Sequence, residues 1–262
     1  MNIMPRVITS NGYEIGYQET GDGDATPIVF LHGVGSDKSV WHPQIAHFGR
    51  GRRAIALDYP GYGESDPAPQ GTTRDEYAAA IISAMHELGV DRAHICGLSL
   101  GGVVALAMHH ADAERCASLI LADTFAVHPN GPAIYQRSLE GSRDLAAMAE
   151  TRVDVLLAQP ADPEVRREVV ETMSRIDSAA YRIGAEAVWL ADQRDRAAEI
   201  RVPSLVVVGD QDLVTPVDLS SELLDLILDA RMQVVAGAGH LPNLERPHEF
   251  NAILDRFIEA LH

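Results

Sequence analysis

Residues 93–105 read Ala93-His94-Ile95-Cys96-Gly97-Leu98-Ser99-Leu100-Gly101-Gly102-Val103-Val104-Ala105. An apolar run of strand length leads into a serine with glycine two positions before and two after it, and an apolar run of helical length follows. This pattern predicts a strand, a sharp turn and a helix, with the Ser99 hydroxyl raised above the end of a sheet by a strained backbone. Ser99 is therefore a candidate nucleophile, and the alternative is a serine that only caps the helix.

Strands and helices alternate on both sides of this stretch. Residues 27–31 form a continuous apolar run, typical of a strand covered on both faces, and further strands are predicted at 53–58, 117–122, 204–209 and 232–235. Residues 73–88 predict a helix, because Thr73 and Glu76 form a capping box and apolar residues repeat on one face. The alternation predicts an α/β fold with a doubly wound, mostly parallel sheet and a ligand site at the carboxyl ends of its strands.

The alternation stops between residues 124 and 200. This interval has no continuous apolar strand and predicts amphipathic helices at 133–149, 151–158, 163–175 and 178–192, with prolines as breaks. We therefore predict a core formed by 1–123 and 201–262, with a helical cap at 124–200 inserted over the sheet to shape a pocket and exclude water. Phe125 and Trp189 are candidate substrate contacts, although aromatic residues at helical positions more often belong to the core.

Acidic residues and a histidine follow the later strands. Asp123 ends one strand, Asp210 and Asp212 follow the run at 204–209, and His240 lies in a glycine-rich loop after the last strand. A serine hydroxyl needs a histidine to take its proton and a carboxylate to hold the imidazole. The order serine, acid, histidine at strand ends therefore predicts a catalytic triad, with the acid still to be chosen.

The segment His32-Gly33-Val34-Gly35-Ser36 directly follows a central strand. Backbone N–H groups at this position supply half of the oxyanion hole in serine hydrolases, so we expect Val34 and Leu100 to donate the two N–H groups. A dinucleotide-binding loop is disfavoured, because Lys38 replaces the third glycine of that motif. His32 is expected to have a structural, hydrogen-bonding role.

The composition excludes several classes of protein. The formal net charge of −17 over 262 residues argues against binding to nucleic acid or to an anionic membrane. No signal peptide or apolar run near the roughly 18 residues of a membrane span is present, which predicts a soluble, cytoplasmic protein. The only lysine, Lys38, lies in a polar loop without an apolar setting, so Schiff-base chemistry is not expected. Cys96 and Cys116 match no metal-binding spacing and are expected to be reduced core residues.

Over essentially its whole length the chain resembles the α/β-hydrolase superfamily. The resemblance is carried by His32-Gly33, 58–65, 97–102, 209–212 and Gly239-His240. Within the superfamily the chain is most similar to 3-oxoadipate enol-lactonases, at 96–102, 41–44, 200–203 and 239–247. Residues 154–159 depart from that group, because they replace an aromatic-rich stretch of the cap.

The resemblance implies that Asp212, the second aspartate of Gly209-Asp210-Gln211-Asp212, is the acid of a Ser99–His240–Asp212 triad. Asp210 would support the turn, and Asp123 is the alternative acid. The implied activity is that of a carboxylic-ester hydrolase, without metal or organic cofactor, that opens a small lactone such as an enol-lactone of the 3-oxoadipate type. A general carboxylesterase and a carbon–carbon bond hydrolase share this triad and remain alternatives.

Overall fold

A computed structural model describes residues 6–8, 12 and 14–261. The first half of the chain contains β1 (Arg6–Ile8), β2 (Glu14–Leu31), α1 (His42–Phe48), β3 (Arg52–Leu57), α2 (Arg74–Glu87), β4 (Ala93–Leu98), α3 (Leu100–Ala111) and β5 (Cys116–Ala122). The second half contains α4 (Gly131–Gly141), α5 (Leu145–Leu156), α6 (Pro163–Ser174), α7 (Ser178–Trp189), α8 (Arg194–Ala198), β6 (Ser204–Gly209), α9 (Val217–Leu226), β7 (Ala230–Val235), α10 (Pro242–Glu245) and α11 (Pro247–Glu259).

The strands form one seven-stranded sheet in the order β1-β2-β4-β5-β6-β7, with β3 also paired to β2. β1 is antiparallel to β2, whereas β2, β4, β5, β6 and β7 form a parallel series. Residues 28–31 of β2 pair with 94–97 of β4 on one side and with 54–57 of β3 on the other. The predicted α/β fold with a mostly parallel sheet is confirmed, and the polar segments after β2, β4, β5 and β6 lie at the same edge.

The predicted helix before β4 forms as its capping residues require. Thr73 precedes α2, its hydroxyl accepts from the Glu76 N–H at 3.3 Å, and Glu76 accepts from the Thr73 N–H at 2.7 Å. β4 is buried at every position, and so is α3 as far as His109. Cys96 and Cys116 are free and buried within this core, and burial raises the pKa of both thiols.

The segment between β5 and β6 contains helices, connecting loops and one isolated β-bridge between Val127 and Asp192, but two of the predicted helices are wrong in extent. The structure replaces 133–149 and 151–158 by α4 and α5, which are separated by Ser142–Asp144. The Ser142 hydroxyl donates to Leu139 O at 2.8 Å, and the Asp144 carboxylate accepts from the Ala147 N–H at 3.0 Å. These local bonds end one helix and begin the next, because they satisfy the backbone groups that a helix end leaves open. None of the helices described is long and apolar enough to cross a membrane.

The side chain of Lys38 is buried, although the sequence places this residue in a polar loop. Its side chain is only 4% exposed, and its ammonium lies 2.7 Å from a carboxylate oxygen of the fully buried Asp58. Glu64 contacts the same ammonium from the outer side, and the Lys38 backbone N–H donates to Asp58 at 2.8 Å. This ion pair fastens the loop after β2 to the loop after β3, so the single lysine has a structural role.

Candidate active site

Ser99 lies in the turn between β4 and α3 with φ 54° and ψ −112°. This positive φ is unusual for a residue with a side chain and marks local backbone strain. The Ser99 N–H donates to Ala122 O at 2.9 Å, and the Thr124 hydroxyl donates to Ser99 O at 2.8 Å. The Ser99 side chain makes no capping hydrogen bond to α3, so the alternative of a helix-capping serine is not met.

Glycines on both sides of Ser99 let the turn approach its neighbours. A Cβ at Gly97 would overlap the backbone of Gly101, and a Cβ at Gly101 would overlap the carbonyl of Leu31. Real side chains cannot occupy such positions without displacing the backbone they meet. The spacing of glycine around Ser99 is therefore a steric requirement of a turn packed against β2.

His240 is held by Asp212. The imidazole Nδ1 lies 2.8 Å from Asp212 Oδ2, and both side chains are buried. Asp212 Oδ1 also accepts from the N–H groups of Val214 at 2.7 Å and Thr215 at 3.0 Å, and the Thr215 hydroxyl donates to Oδ2 at 2.6 Å. Burial acts to raise the pKa of Asp212, but His240 and these hydrogen bonds outweigh it and hold that pKa below its ordinary value. Asp212 is therefore ionised at neutral pH.

Asp123 lies beside this pair in a different environment. It is completely buried with φ 45°, and its Oδ1 accepts from the Gly209 N–H at 2.9 Å. Its Oδ2 has no hydrogen-bond donor among the described residues. Burial and the neighbouring charge of Asp212 raise the pKa of Asp123 well above its ordinary value. The pKa values of the two neighbouring carboxyl groups are therefore shifted in opposite directions, that of Asp123 upward and that of Asp212 downward.

Asp123, Asp212 and His240 each offer a ligand atom, and these atoms lie within 4.8 Å of one another. Both oxygens of Asp212 already accept hydrogen bonds, and His240 Nδ1 is directed at one of them. Asp212 and His240 are therefore already hydrogen-bonded to each other and to their neighbours, which fits an acid–base pair better than a metal site. Asp210 bonds to the loop after β7 and not within its own turn, because its Oδ1 accepts from the Gly237 N–H at 2.7 Å.

Ser99 and His240 line one cavity of about 40 Å³. On that measure a water molecule needs roughly 10–15 Å³, so the cavity suits a small ligand. The residues that line it from α5, α6 and α7 are mostly apolar: Arg152, Leu156, Glu168, Val169, Thr172, Met173, Tyr181 and Trp189. Glu168 is also directed outward to His42, whose Nδ1 lies 3.3 Å from its carboxylate.

The two aromatic residues singled out from the sequence have different positions. Trp189 lines the cavity, whereas Phe125 is not among its lining residues. Phe125 is fully buried and stacks on Trp189 with ring centroids 5.8 Å apart and planes inclined by 16°. The prediction that Phe125 contacts substrate is therefore corrected, because the residue supports Trp189 from behind.

The loop after β2 approaches Ser99 from the other side of the cavity. Val34 lines the cavity, and a Cβ built on Gly33 would lie 3.4 Å from the Ser99 Cβ. The Tyr62 hydroxyl lies within 3.4 Å of Val34 O and 3.3 Å of Ala180 O, which links this loop to α7. Leu100 is the first residue of α3, where N–H groups have no partner within the helix.

His32, at the start of the same loop, has the structural role expected of it. Its Nδ1 lies 2.8 Å from Gly33 O, and its ring contacts Tyr59 and Tyr62. Burial lowers the pKa of His32, which keeps the imidazole neutral.

Thr215 was not among the candidate residues named from the sequence. An aspartate followed three residues later by a threonine is nevertheless a pattern typical of turns closed by a side-chain hydrogen bond.

Similarity to known proteins identifies the family of this chain. A model of the Alpha/beta hydrolase family matches residues 28–253. The 3-oxoadipate enol-lactonase 1 of Acinetobacter baylyi is 26% identical over 259 residues, which cover 97% of this chain and 97% of that protein. The crystal structure of the enol-lactonase from Burkholderia xenovorans LB400 is 29% identical with a TM-score of 0.90, covering 97% of this chain and 100% of that one.

A relative with a different activity is also similar over most of its length. The 2-hydroxy-6-oxononadienedioate/2-hydroxy-6-oxononatrienedioate hydrolase of Cupriavidus pinatubonensis is 26% identical, over 94% of this chain and 91% of that protein. The family match extends from β2 to α11 and includes every segment that forms the cavity. The chain belongs to the alpha/beta hydrolase family, and it is a hydrolase.

Proposed function

We propose that this hydrolase opens a small lactone with Ser99 as nucleophile, His240 as general base and Asp212 as the acid that holds His240. The observation that carries the proposal is the hydrogen bond of 2.8 Å from His240 to Asp212, at a histidine that shares a cavity with the strained Ser99. A strained serine, a paired imidazole and an ionised carboxylate have the roles that acyl transfer needs.

In the first half of the reaction the Ser99 oxygen attacks the lactone carbonyl carbon while His240 takes the hydroxyl proton. Asp212 stabilises the imidazolium that forms and keeps its Nδ1–H directed inward. The N–H groups of Val34 and Leu100 are proposed to donate to the carbonyl oxygen as it becomes negative. When the tetrahedral intermediate collapses, the ring C–O bond breaks and His240 returns the proton to the leaving oxygen.

In the second half water replaces the leaving oxygen. His240 takes a proton from water, the resulting hydroxide attacks the acyl carbon, and the Ser99 oxygen leaves with the proton held by His240. The leaving group of a lactone stays tethered to the acyl group, so one ring-opened acid is released. For an enol-lactone the released enol becomes a ketone, which makes the overall reaction favourable.

The cavity supports a substrate that combines an apolar body with a carboxylate. Arg152, on α5, is the arginine among the lining residues, and no ion-pair partner of Arg152 occurs in the part of the chain that the structure describes. An unpaired guanidinium beside mostly apolar side chains is suited to bind a carboxylate through two hydrogen bonds. We therefore propose Arg152 as the residue that binds the carboxylate of a lactone of the 3-oxoadipate type, with Trp189 against its ring.

Residues 124–200 are proposed to act as the cap of this site, over a core of 1–123 and 201–262. Helices α5, α6 and α7 contribute eight of the lining residues, whereas Ser99 and His240 come from the loops at the sheet edge. Such a division lets the cap select the substrate while the core performs the chemistry. Excluding water from the closed cavity also strengthens the electrostatic interactions inside it.

A substrate panel tests the proposal. We expect kcat/KM for a carboxylated small lactone to exceed that for neutral short-chain p-nitrophenyl esters by at least about tenfold, or ~1.4 kcal/mol of transition-state binding. The reverse ranking would contradict the lactonase proposal and indicate a general carboxylesterase. Cleavage of a vinylogous diketone acid without any lactone turnover would instead indicate a carbon–carbon bond hydrolase.

A further inference from the structure

Glu245, at the end of α10, makes an unusual set of hydrogen bonds around the His240 loop. Its Oε1 accepts from the backbone N–H of Gly239 at 2.8 Å and from that of Leu241 at 3.4 Å. Its Oε2 accepts from the backbone N–H of Ala158 at 2.7 Å. One carboxylate therefore holds the residues on both sides of His240 and, with its other oxygen, the segment after α5.

Residues 239–241 and residues 156–158 also contact each other directly. The His240 N–H donates to Leu156 O at 2.7 Å. A Cβ added at Gly239 would lie 2.6 Å from Leu156 O and 2.7 Å from Ala158 N, so only glycine permits this approach. Residues 239–241 and 156–158 thus form one hydrogen-bonded unit, and Glu245 is the only side chain among these contacts.

We propose that Glu245 is a positioning residue that sets the imidazole of His240 and couples it to residues 156–158. This inference rests on the proposed function, because it takes His240 as the base. Glu245 does not touch the reacting atoms; it acts on the backbone from which the imidazole projects. Through Ala158 the same carboxylate ties that backbone to the C-terminal end of α5, the helix that carries Arg152 and Leu156 into the cavity.

The chemistry of the site requires a carboxylate at this position. All three partners are N–H donors, and an ionised carboxylate offers only acceptors, so each oxygen can satisfy what faces it. An amide of the same shape must turn its NH₂ group either toward Ala158 or toward Gly239 and Leu241. In either orientation the NH₂ group of the amide faces a backbone N–H donor. The His240 loop or the C-terminal end of α5 must then move.

Glu245→Gln tests the inference, with Glu249→Gln on the exposed face of α11 as the matched control. We expect Glu245→Gln to lower kcat for an ester or lactone by at least about tenfold while KM changes by less than about threefold. Inactivation by a fluorophosphonate should slow by a similar factor, and the downfield proton signal of His240 Nδ1–H should shift. Glu249→Gln should leave all three measurements unchanged.

A second variant removes the Ala158 N–H and keeps the Glu245 side chain. Ala158→Pro lacks the N–H that donates to Oε2, and Leu157 already has the extended backbone that precedes proline, with φ −106° and ψ 145°. We expect amide hydrogen exchange at Gly239 and Leu241 to become at least about tenfold faster in this variant. Unchanged exchange would overturn the coupling to residues 156–158.

The outcomes separate this inference from the proposed function. A folded Glu245→Gln variant with wild-type kcat and wild-type fluorophosphonate reactivity would overturn the positioning role. An increase in KM alone would do the same, because it would indicate a role in binding only. If the wild-type protein does not react with the fluorophosphonate at Ser99, the proposed triad itself is wrong, whatever Glu245 does.

Discussion

At the scale of single residues, the pKa values of the two aspartates beside His240 are shifted in opposite directions because their surroundings differ. Asp212 accepts hydrogen bonds from His240, Val214 and Thr215, whereas Asp123 accepts one from Gly209. We predict that Asp212→Asn lowers kcat by about 10³ to 10⁴, because an amide favours the wrong imidazole tautomer. Asp123→Asn should keep kcat within about threefold, because a neutral amide replaces a carboxyl group whose raised pKa favours its neutral form.

Ester turnover by the two purified variants checks this prediction, with thermal unfolding to show that both are folded. The opposite ranking, with Asp123→Asn inactive and Asp212→Asn close to wild type, would show that Asp123 is the acid of the triad.

The raised pKa of Asp123 also predicts how stability depends on pH. An acid whose folded pKa lies above its unfolded value of 3.8 binds more protons in the folded state throughout the interval between the two values. Within that interval the free energy of unfolding falls as pH rises. Asp123→Asn removes this contribution, so the variant should gain stability relative to wild type as pH rises above about 4. Urea titrations at several pH values measure the difference, and a difference that stays constant with pH would show that Asp123 is ionised in the folded protein.

Arg152 gives the residue-scale prediction about specificity. Hydrogen bonds to a charged group contribute about 1.5–3 kcal/mol, so Arg152→Gln should lower kcat/KM for a carboxylated lactone by roughly 10- to 100-fold. The same variant should hydrolyse a neutral p-nitrophenyl ester within about twofold of wild type.

Arg137 offers the matched control for Arg152. It lies in an outer groove that Arg152 also borders, but it does not line the catalytic cavity. Arg137→Gln should therefore leave both kcat/KM values close to wild type. Equal losses on the charged and the neutral substrate in Arg152→Gln would show that the arginine supports the fold of α5 and does not recognise a carboxylate.

At the scale of elements, the loops after β2 and β3 depend on the buried pair of Lys38 and Asp58. Removing one member of a buried ion pair leaves the other charge without compensation, which typically costs about 3–5 kcal/mol. We predict that Lys38→Met lowers Tm by roughly 10 °C, given about 2–4 °C per kcal/mol in a protein of this size. Differential scanning calorimetry measures this shift.

Two further variants control for the loss of a charge as such. Arg166 forms an exposed pair with Glu150 at 3.2 Å, and exposed pairs contribute only about 0–1 kcal/mol. Arg166→Met should therefore change Tm by no more than about 3 °C. The double variant Lys38→Met/Asp58→Asn should recover much of the stability lost in Lys38→Met. A Tm for Lys38→Met equal to that of Arg166→Met would contradict the structural role of Lys38.

Turns and helix ends were predictable from the sequence where the residues that determine them lie close together in the chain. The turn at Ser99 follows from adjacent glycines, and α2 begins after Thr73 because both partners of its capping box lie within one helical turn. The boundary between α4 and α5 was not predictable in this way. It depends on the Asp144 cap and the Ser142 bond, whereas the helical periodicity of residues 133–149 continues across the break.

At the scale of the whole molecule, the sequence could predict which polar residues follow the strands but not their mutual geometry. A parallel sheet brings strand ends to one edge, so Ser99, Asp212 and His240 were expected to be neighbours. The burial of Lys38 and the position of Phe125 behind Trp189 depend on contacts between segments distant in the chain, for which the sequence has no local signal. The contacts of Glu245 with residues 156–158 are of the same kind.

Peptide mapping after brief exposure to a fluorophosphonate tests whether Ser99 is a nucleophile activated by His240. We predict one adduct per chain, located on the peptide that contains Ser99. We also predict no adduct in Ser99→Ala and a rate lowered by several orders of magnitude in His240→Ala. An adduct at another residue in the wild-type protein, or wild-type labelling of Ser99 in His240→Ala, would contradict this prediction.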